Sequence, residues 1–170
     1  MDGGPPEEAS RRFDRAMRDA FAAFYVHRSN RFAHAAAQAV AEAPARAYNP
    51  LWIFGASGTG KSLLLSSIAA EIARKRWLRV QHQSLLDQVP AGLMTDADVL
   101  LLDDAEMLRH DCEAFTAVDE LVLQMVSSGK QVVAASQVDY QDMHTECCEH
   151  RLSELPWSLF VEVSTGCTLY

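Results

Sequence analysis

The chain has 170 residues, 49% hydrophobic and 22% charged, which is enough apolar material for one core and, by default, one domain. No run approaches the roughly 18 apolar residues of a membrane span, and the opening MDGGPPEEAS is acidic and proline-rich where a signal peptide is basic and then apolar, so a cytoplasmic protein is expected. A net charge of -8 argues against a protein that grips nucleic acid by its phosphates. The four cysteines, Cys112, Cys147, Cys148 and Cys167, show no paired framework, in keeping with a reducing compartment.

Residues 1–10 have no hydrophobic anchors and are expected to be disordered. Over residues 11–24, Phe13, Met17, Phe21 and Phe24 form one stripe of an amphipathic helix, with Arg12, Arg15, Arg18 and Asp19 on its other face. That helix either packs on its own domain or docks on another protein. Ser29 is placed to cap a second helix, Asn30 to Glu42, closed by Pro44.

The stretch Leu51 to Ser62, LWIFGASGTGKS, fits the P-loop pattern at every fixed position. Leu51 to Phe54 predict a buried strand that stops abruptly. Across Gly55, Ala56, Ser57, Gly58, Thr59 and Gly60 the glycines let the backbone curl, so that successive N–H groups face phosphate oxygens. Lys61 adds a point charge, and a helix starting there directs its positive end at the same anion. The Ser62 hydroxyl is suited to a magnesium ion. A plain glycine-rich turn would be the bland alternative, but this pattern arises by chance in roughly 1% of such chains or fewer. ATP or ADP with Mg is therefore the expected ligand.

The helix after the P-loop shows Leu64, Ile68 and Ile72 on one face, and a second strand is expected near Leu78 to Gln83. Val99 to Leu102 is a continuous apolar run ending in Asp103 and Asp104, the pattern of a Walker B strand. Asp103 is the candidate to meet the magnesium held by Ser62, and Asp104 to orient an attacking water as general base. Phe115, Val118, Leu121, Val122 and Met125 mark another helix, ended by Gly129. Gln131 to Ala135 is the next buried strand, followed by Ser136 and Gln137 where a polar group could reach a γ-phosphate or the water. His144, Cys147, Cys148 and His150 raise a zinc reading, but adjacent cysteines fit a helix with partly buried thiols better. Leu159 to Val163 is a fifth strand.

Strands alternating with helices give an α/β class with a parallel sheet and right-handed crossovers. The expected object is a three-layer P-loop NTPase sandwich whose carboxyl edge gathers Gly55 to Ser62, Asp103 and Ser136.

Two stretches carry a more specific resemblance. FYVHRSNRFAHAAAQAVAEAPARAYNPLWIFGASGTGKS is similar to the adenine-contacting region through Walker A of the DnaA-type AAA+ ATPases, and DVLLLDDAEML and GKQVVAAS resemble their Walker B and sensor 1 segments. The likeness covers roughly Phe24 to Val163. It implies an AAA+ core over residues 25–170 with five parallel strands in the order 5-1-4-3-2. It further implies Val26 and Asn30 near the adenine, Lys61 and Ser62 at the phosphates and magnesium, and Ser136 or Gln137 at sensor 1.

The departures from that family also shape the expected function. Only Ser84 to Asp98 stands where the initiators carry a long DNA-contacting insertion, so direct DNA binding is expected to be weak or absent. Where the family has an arginine finger, this chain reads Arg151, Leu152, Ser153, Glu154, and His27 stands at a position commonly glycine. No helical lid is expected after the fifth strand. The resemblance thus implies a regulator similar to the Hda type, acting through protein contacts with DnaA or another AAA+ partner and at most a weak ATPase. A self-sufficient ATPase or small kinase, and a nucleotide-stabilised scaffold outside replication, are the alternatives.

Overall fold

A computed structural model describes residues 21–75, 78–86, 96–147 and 157–165. The expectations for residues 1–20, Arg151 to Glu154 and the His150 end of the zinc-like cluster lie outside these. Elements alternate along the chain: α1 (Arg31–Glu42), β1 (Leu51–Phe54), α2 (Lys61–Lys75), β2 (Val80–Ser84), β3 (Val99–Asp103), a 3-10 helix (Ala105–His110), α3 (Cys112–Ser127), β4 (Gln131–Ser136), α4 (Tyr140–Cys147) and β5 (Leu159–Glu162).

The five strands are all parallel, in the order β2-β3-β4-β1-β5, which is the expected 5-1-4-3-2 read from the other edge. Alternation along each strand sorts the core into two layers. Leu51, Ile53, Val99, Leu101, Val133 and Ala135 face α1 and α2, meeting Ala33, Ala37, Val40, Leu64, Ile68 and Ile72. Trp52, Leu100, Leu102, Val132 and Ala134 face the other way, onto Phe115, Val118, Val122 and Met125 of α3 and Tyr140 and Met143 of α4. Continuous apolar runs such as VLLLD are what a strand covered on both faces requires.

Register aligns the carboxyl ends. Phe54 pairs with Ser136, and Ser84 pairs with Asp103, so the residues that follow these strands emerge along one edge. At the opposite end a polar staple fixes the entry to β1. Gln131 is completely buried, its Oε1 accepting from Ala45 N at 2.8 Å and its Nε2 donating to Tyr48 O at 3.2 Å. Asn49 donates to Lys130 O at 2.8 Å and accepts from Val132 N at 3.0 Å. Gln131→Ala leaves a buried N–H and a carbonyl unpaired. Chemical denaturation is expected to show a loss of about 1–3 kcal/mol.

Several boundaries differ from expectation. Residues 21–24, the described part of the expected helix 11–24, form a turn, with Phe24 N donating to Phe21 O at 3.2 Å. Phe21 and Phe24 pack on the edge and face of His34, each with ring centroids 5.5 Å apart, so this end of the apolar stripe belongs to the domain's own core. The cap of α1 is Asn30, not Ser29, and its amide braces the preceding loop: Oδ1 accepts from His27 N at 2.8 Å and Nδ2 donates to Tyr25 O at 2.9 Å. Asp111 caps α3 by accepting from Ala114 N at 2.9 Å. Gly129 follows α3 at φ 71°, and Lys130 N reaches back to Met125 O. Cys112 is disulfide-bonded, although the cysteine spacing shows no paired framework. Among the described residues no helix is long and apolar enough to cross a membrane.

Candidate functional site

The loop after β1 is held from both sides of the sheet. Gly55 N donates to Ser136 O at 3.1 Å and Val163 N donates to Phe54 O at 2.7 Å, so β4 and β5 pin the point where the chain leaves the strand. Gly55 stands at φ 154°, and a Cβ there would lie 2.0 Å from Val163 O. Gly60, at φ 98°, lies against Phe24, whose Cε2 would sit 2.6 Å from an added Cβ. Glycine is required at both positions by the space as well as the dihedral. Thr59 ties the loop to itself, donating to Ala56 O at 2.9 Å.

Two cavities meet on this loop. The smaller, about 260 Å³, lies over the phosphate cradle and is lined by Ser57, Gly58, Gly60, Lys61, Ser62, Leu63, Asp103, Asp104, Glu106 and Gln137. The larger, about 830 Å³, shares Gly58, Gly60 and Leu63 with it and continues over Phe24, Tyr25, His27, Arg28, Ser29, Asn30, Thr59 and Thr165. A polar chamber leading into a roomier, partly aromatic one matches a phosphate chain followed by a base. The fit extends to magnesium: the Ser62 hydroxyl and the Asp103 carboxylate, an oxygen pair of the kind that ion takes, line the same chamber.

Lys61 is buried, and its Nζ donates to Gly55 O at 2.6 Å and Ala56 O at 2.9 Å. Burial pushes its ammonium below the ordinary 10.5, while Glu106, then Asp103 and Asp104, draw it back up. A phosphate arriving at the loop would add to those stabilising charges.

The acids emerge from β3 in sequence. Asp103 Oδ1 accepts from Asp104 N at 3.0 Å. Asp104 adopts the left-handed conformation, φ 57° and ψ 37°, a strained setting that Asp tolerates better than most residues. Its Oδ2 accepts from Ser84 Oγ at 2.6 Å, so the candidate base is held by the end of β2. This left-handed turn starts the 3-10 helix and brings Glu106 to the cavity wall. Glu106 was not singled out in the sequence; its carboxylate accepts from Gln137 N at 2.9 Å and from Gln137 Nε2 at 2.7 Å.

Ser136 is completely buried, donating to Met143 Sδ at 3.8 Å and accepting from Val138 N at 3.0 Å, and it is not among the residues that line the chamber. Of the two sensor 1 candidates it is Gln137 that lines the chamber. Asn30 lines the larger cavity, and Val26 lines an adjoining hollow that shares Phe24 and Tyr25 with it.

The family model described as "Bacterial DnaA ATPAse domain" matches residues 16–84. The chromosomal replication initiator protein DnaA of Leifsonia xyli subsp. xyli is 34% identical over 175 residues, covering 94% of this chain and 36% of the relative. The chain therefore spans about a third of the length of the curated relatives it matches. Among solved structures, domain III of the Thermotoga maritima DnaA superposes with a TM-score of 0.68 at 27% identity, over 86% of this chain and 67% of that one. AMPPCP-bound DnaA from Aquifex aeolicus gives 0.63 at 25% identity, over 85% and 49%. With the sheet order, the loop and the strand-end acids all in place, the chain has an AAA+ fold and is similar over most of its length to the corresponding part of the DnaA initiators.

Proposed function

We propose that the chain is a nucleotide-binding, DnaA-related regulator that acts through contacts with an initiator or another AAA+ subunit in the control of replication initiation. The observation that carries this reading is the pair of cavities joined at Gly58, Gly60 and Leu63, one polar and one partly aromatic, which suits ATP or ADP. In it Lys61 and the loop N–H groups would hold the phosphates, Ser62 and Asp103 the magnesium, and Phe24 and Asn30 would border the base. Magnesium, once bound, neutralises phosphate charge; the residues' own part is to position the chain of phosphates and exclude water from it.

Binding is favoured over turnover because Glu154 follows Ser153 where the resemblance implies an arginine finger. A carboxylate cannot offset charge growing on a transferring phosphoryl group, and such fingers are worth about 10³ to 10⁵ in rate. The acidic net charge and the short Ser84 to Asp98 segment favour a protein partner over DNA.

The test is co-sedimentation of the purified chain with a purified DnaA-type initiator in ATP, ADP or no nucleotide. Association is expected to depend on the nucleotide and to vanish for Lys61→Ala; equal association in all states would leave the switch reading without support. One observation favours a second reading, a self-sufficient ATPase: Asp104 lines the phosphate chamber with its carboxylate fixed by Ser84. Steady-state hydrolysis by the chain alone is expected on the order of 10⁻³ per second or slower, as for NTPases without a finger. Turnover near one per second would favour the enzyme.

A further inference from the structure

Phe24 joins two parts of the site that the sequence keeps apart. Its ring is only 6% exposed, yet it lines the larger cavity beside Asn30 and also abuts the last glycine of the phosphate loop. A Cβ built on Gly60 would lie 2.6, 3.4 and 3.5 Å from Phe24 Cε2, Cδ2 and Cζ. One edge of the ring thus fills the space that a side chain at Gly60 would take. On α1 the ring stacks against His34, with centroids 5.5 Å and planes 21° apart. Phe21 meets the same imidazole edge-on, and Phe24 N is tied back to Phe21 O at 3.2 Å.

Elsewhere the loop is braced by polar contacts. Gly55 N donates to Ser136 O, Thr59 Oγ1 donates to Ala56 O, and Lys61 Nζ donates to Gly55 O and Ala56 O. Gly60 enters none of these bonds. It stands at φ 98°, where a glycine has neighbouring conformations open to it, and its carbonyl starts α2 by accepting from Leu64 N at 3.0 Å. Gly60 also lines both cavities, so a shift of its backbone alters the phosphate chamber and the base cavity together. What packs against it is the Phe24 ring.

We infer that Phe24 is a positioning residue for the phosphate loop: wedged between His34 and Gly60, it holds the loop in its phosphate-binding shape, in addition to bordering the base. The inference rests on the reading of this loop as the phosphate site. Without the ring, a void opens beside a glycine that has no side chain to fill it, and the order that the loop then lacks must be supplied when the ligand binds. A wall that serves the base alone has no such effect on a ligand without a base.

The experiment therefore compares ADP with pyrophosphate, which carries the phosphates and no base. Calorimetric titration of the whole chain with each, in magnesium buffer, is run for wild type, Phe24→Leu, His34→Ala and His34→Phe. Phe24→Leu is expected to weaken both ligands by about tenfold. His34 lines neither cavity, so its substitution leaves every ligand-facing side chain in place. His34→Ala is expected to weaken both ligands by about fivefold, and His34→Phe, which keeps the stack, to stay within about twofold of wild type. An unchanged pyrophosphate affinity in Phe24→Leu or in His34→Ala would overturn the inference. So would a His34→Phe variant as weak as His34→Ala, or a wild type that binds ADP and not pyrophosphate. Should Phe24→Leu fail to fold, the His34 pair decides by the same comparison. Failure of wild type to bind ADP would overturn the site reading and the inference with it.

Discussion

Lys61→Ala is expected to weaken ATP and ADP binding by about 100-fold or more. The residue sits at the start of α2 with its ammonium inside the loop, 2.6 Å from Gly55 O and 2.9 Å from Ala56 O. Those carbonyls hold it in place ahead of the ligand, so little side-chain entropy remains to be lost when phosphate arrives. A charged hydrogen bond is worth about 1.5–3 kcal/mol, and the lost ammonium would also leave Asp103, Asp104 and Glu106 facing the phosphates without a counter-charge. Because the loop is pinned independently by Ser136 O and Phe54 O, the ligand-free fold is expected to survive. Calorimetric titration measures the first effect, and a melting temperature within about 5 °C of wild type in the absence of nucleotide checks the second.

Trp52→Ala is expected to carry the largest stability loss, about 3–5 kcal/mol. Trp52 is 2% exposed in the middle of β1, edge-on to Trp157 at 4.8 Å and to Tyr140 at 5.3 Å between ring centroids. No neighbour in that layer can collapse into the space of an indole without moving a strand. The indole also donates to Val138 O at 3.2 Å, and Val138 N in turn donates to Ser136 Oγ. The loss therefore reaches the segment that carries Gln137 to the phosphate chamber. Trp52→Phe retains much of the packing and loses this hydrogen bond, so urea denaturation is expected to place it between wild type and the alanine variant. Equal loss for both would mean that the hydrogen bond, and not the cavity, dominates.

Much of the architecture could be read from the sequence because its signals are local. A four-residue apolar run ending in a glycine loop, or in two aspartates, identifies a strand buried on both faces and marks its carboxyl end. Once five such ends are parallel, they must meet at one edge. The P-loop is legible for the same reason: Gly55, Gly60, Lys61 and Ser62 act through backbone geometry fixed within a dozen residues.

What was not legible depends on contacts between elements. Ser136 and Gln137 could not be separated by polarity, but strand parity would have done so. Ser136 shares a face with Val132 and Ala134, the face turned to α3 and α4, and so is carried into the core with Met143. Glu106 was missed because its position follows from the left-handed Asp104, which no residue pattern announces. The preference for Asn30 over Ser29 as the α1 cap turns on its amide spanning His27 and Tyr25, a loop contact and not a propensity.

The central claim, that the loop from Gly55 to Ser62 holds a nucleotide diphosphate or triphosphate with magnesium, is tested most directly by thermal unfolding of the whole chain with and without magnesium and ADP. At about 100 times the dissociation constant, a ligand that binds only the folded chain adds about 2.7 kcal/mol, and the melting temperature is predicted to rise by about 5–10 °C in wild type and not in Lys61→Ala. An unchanged wild-type melting temperature, or an equal rise in the variant, would contradict it.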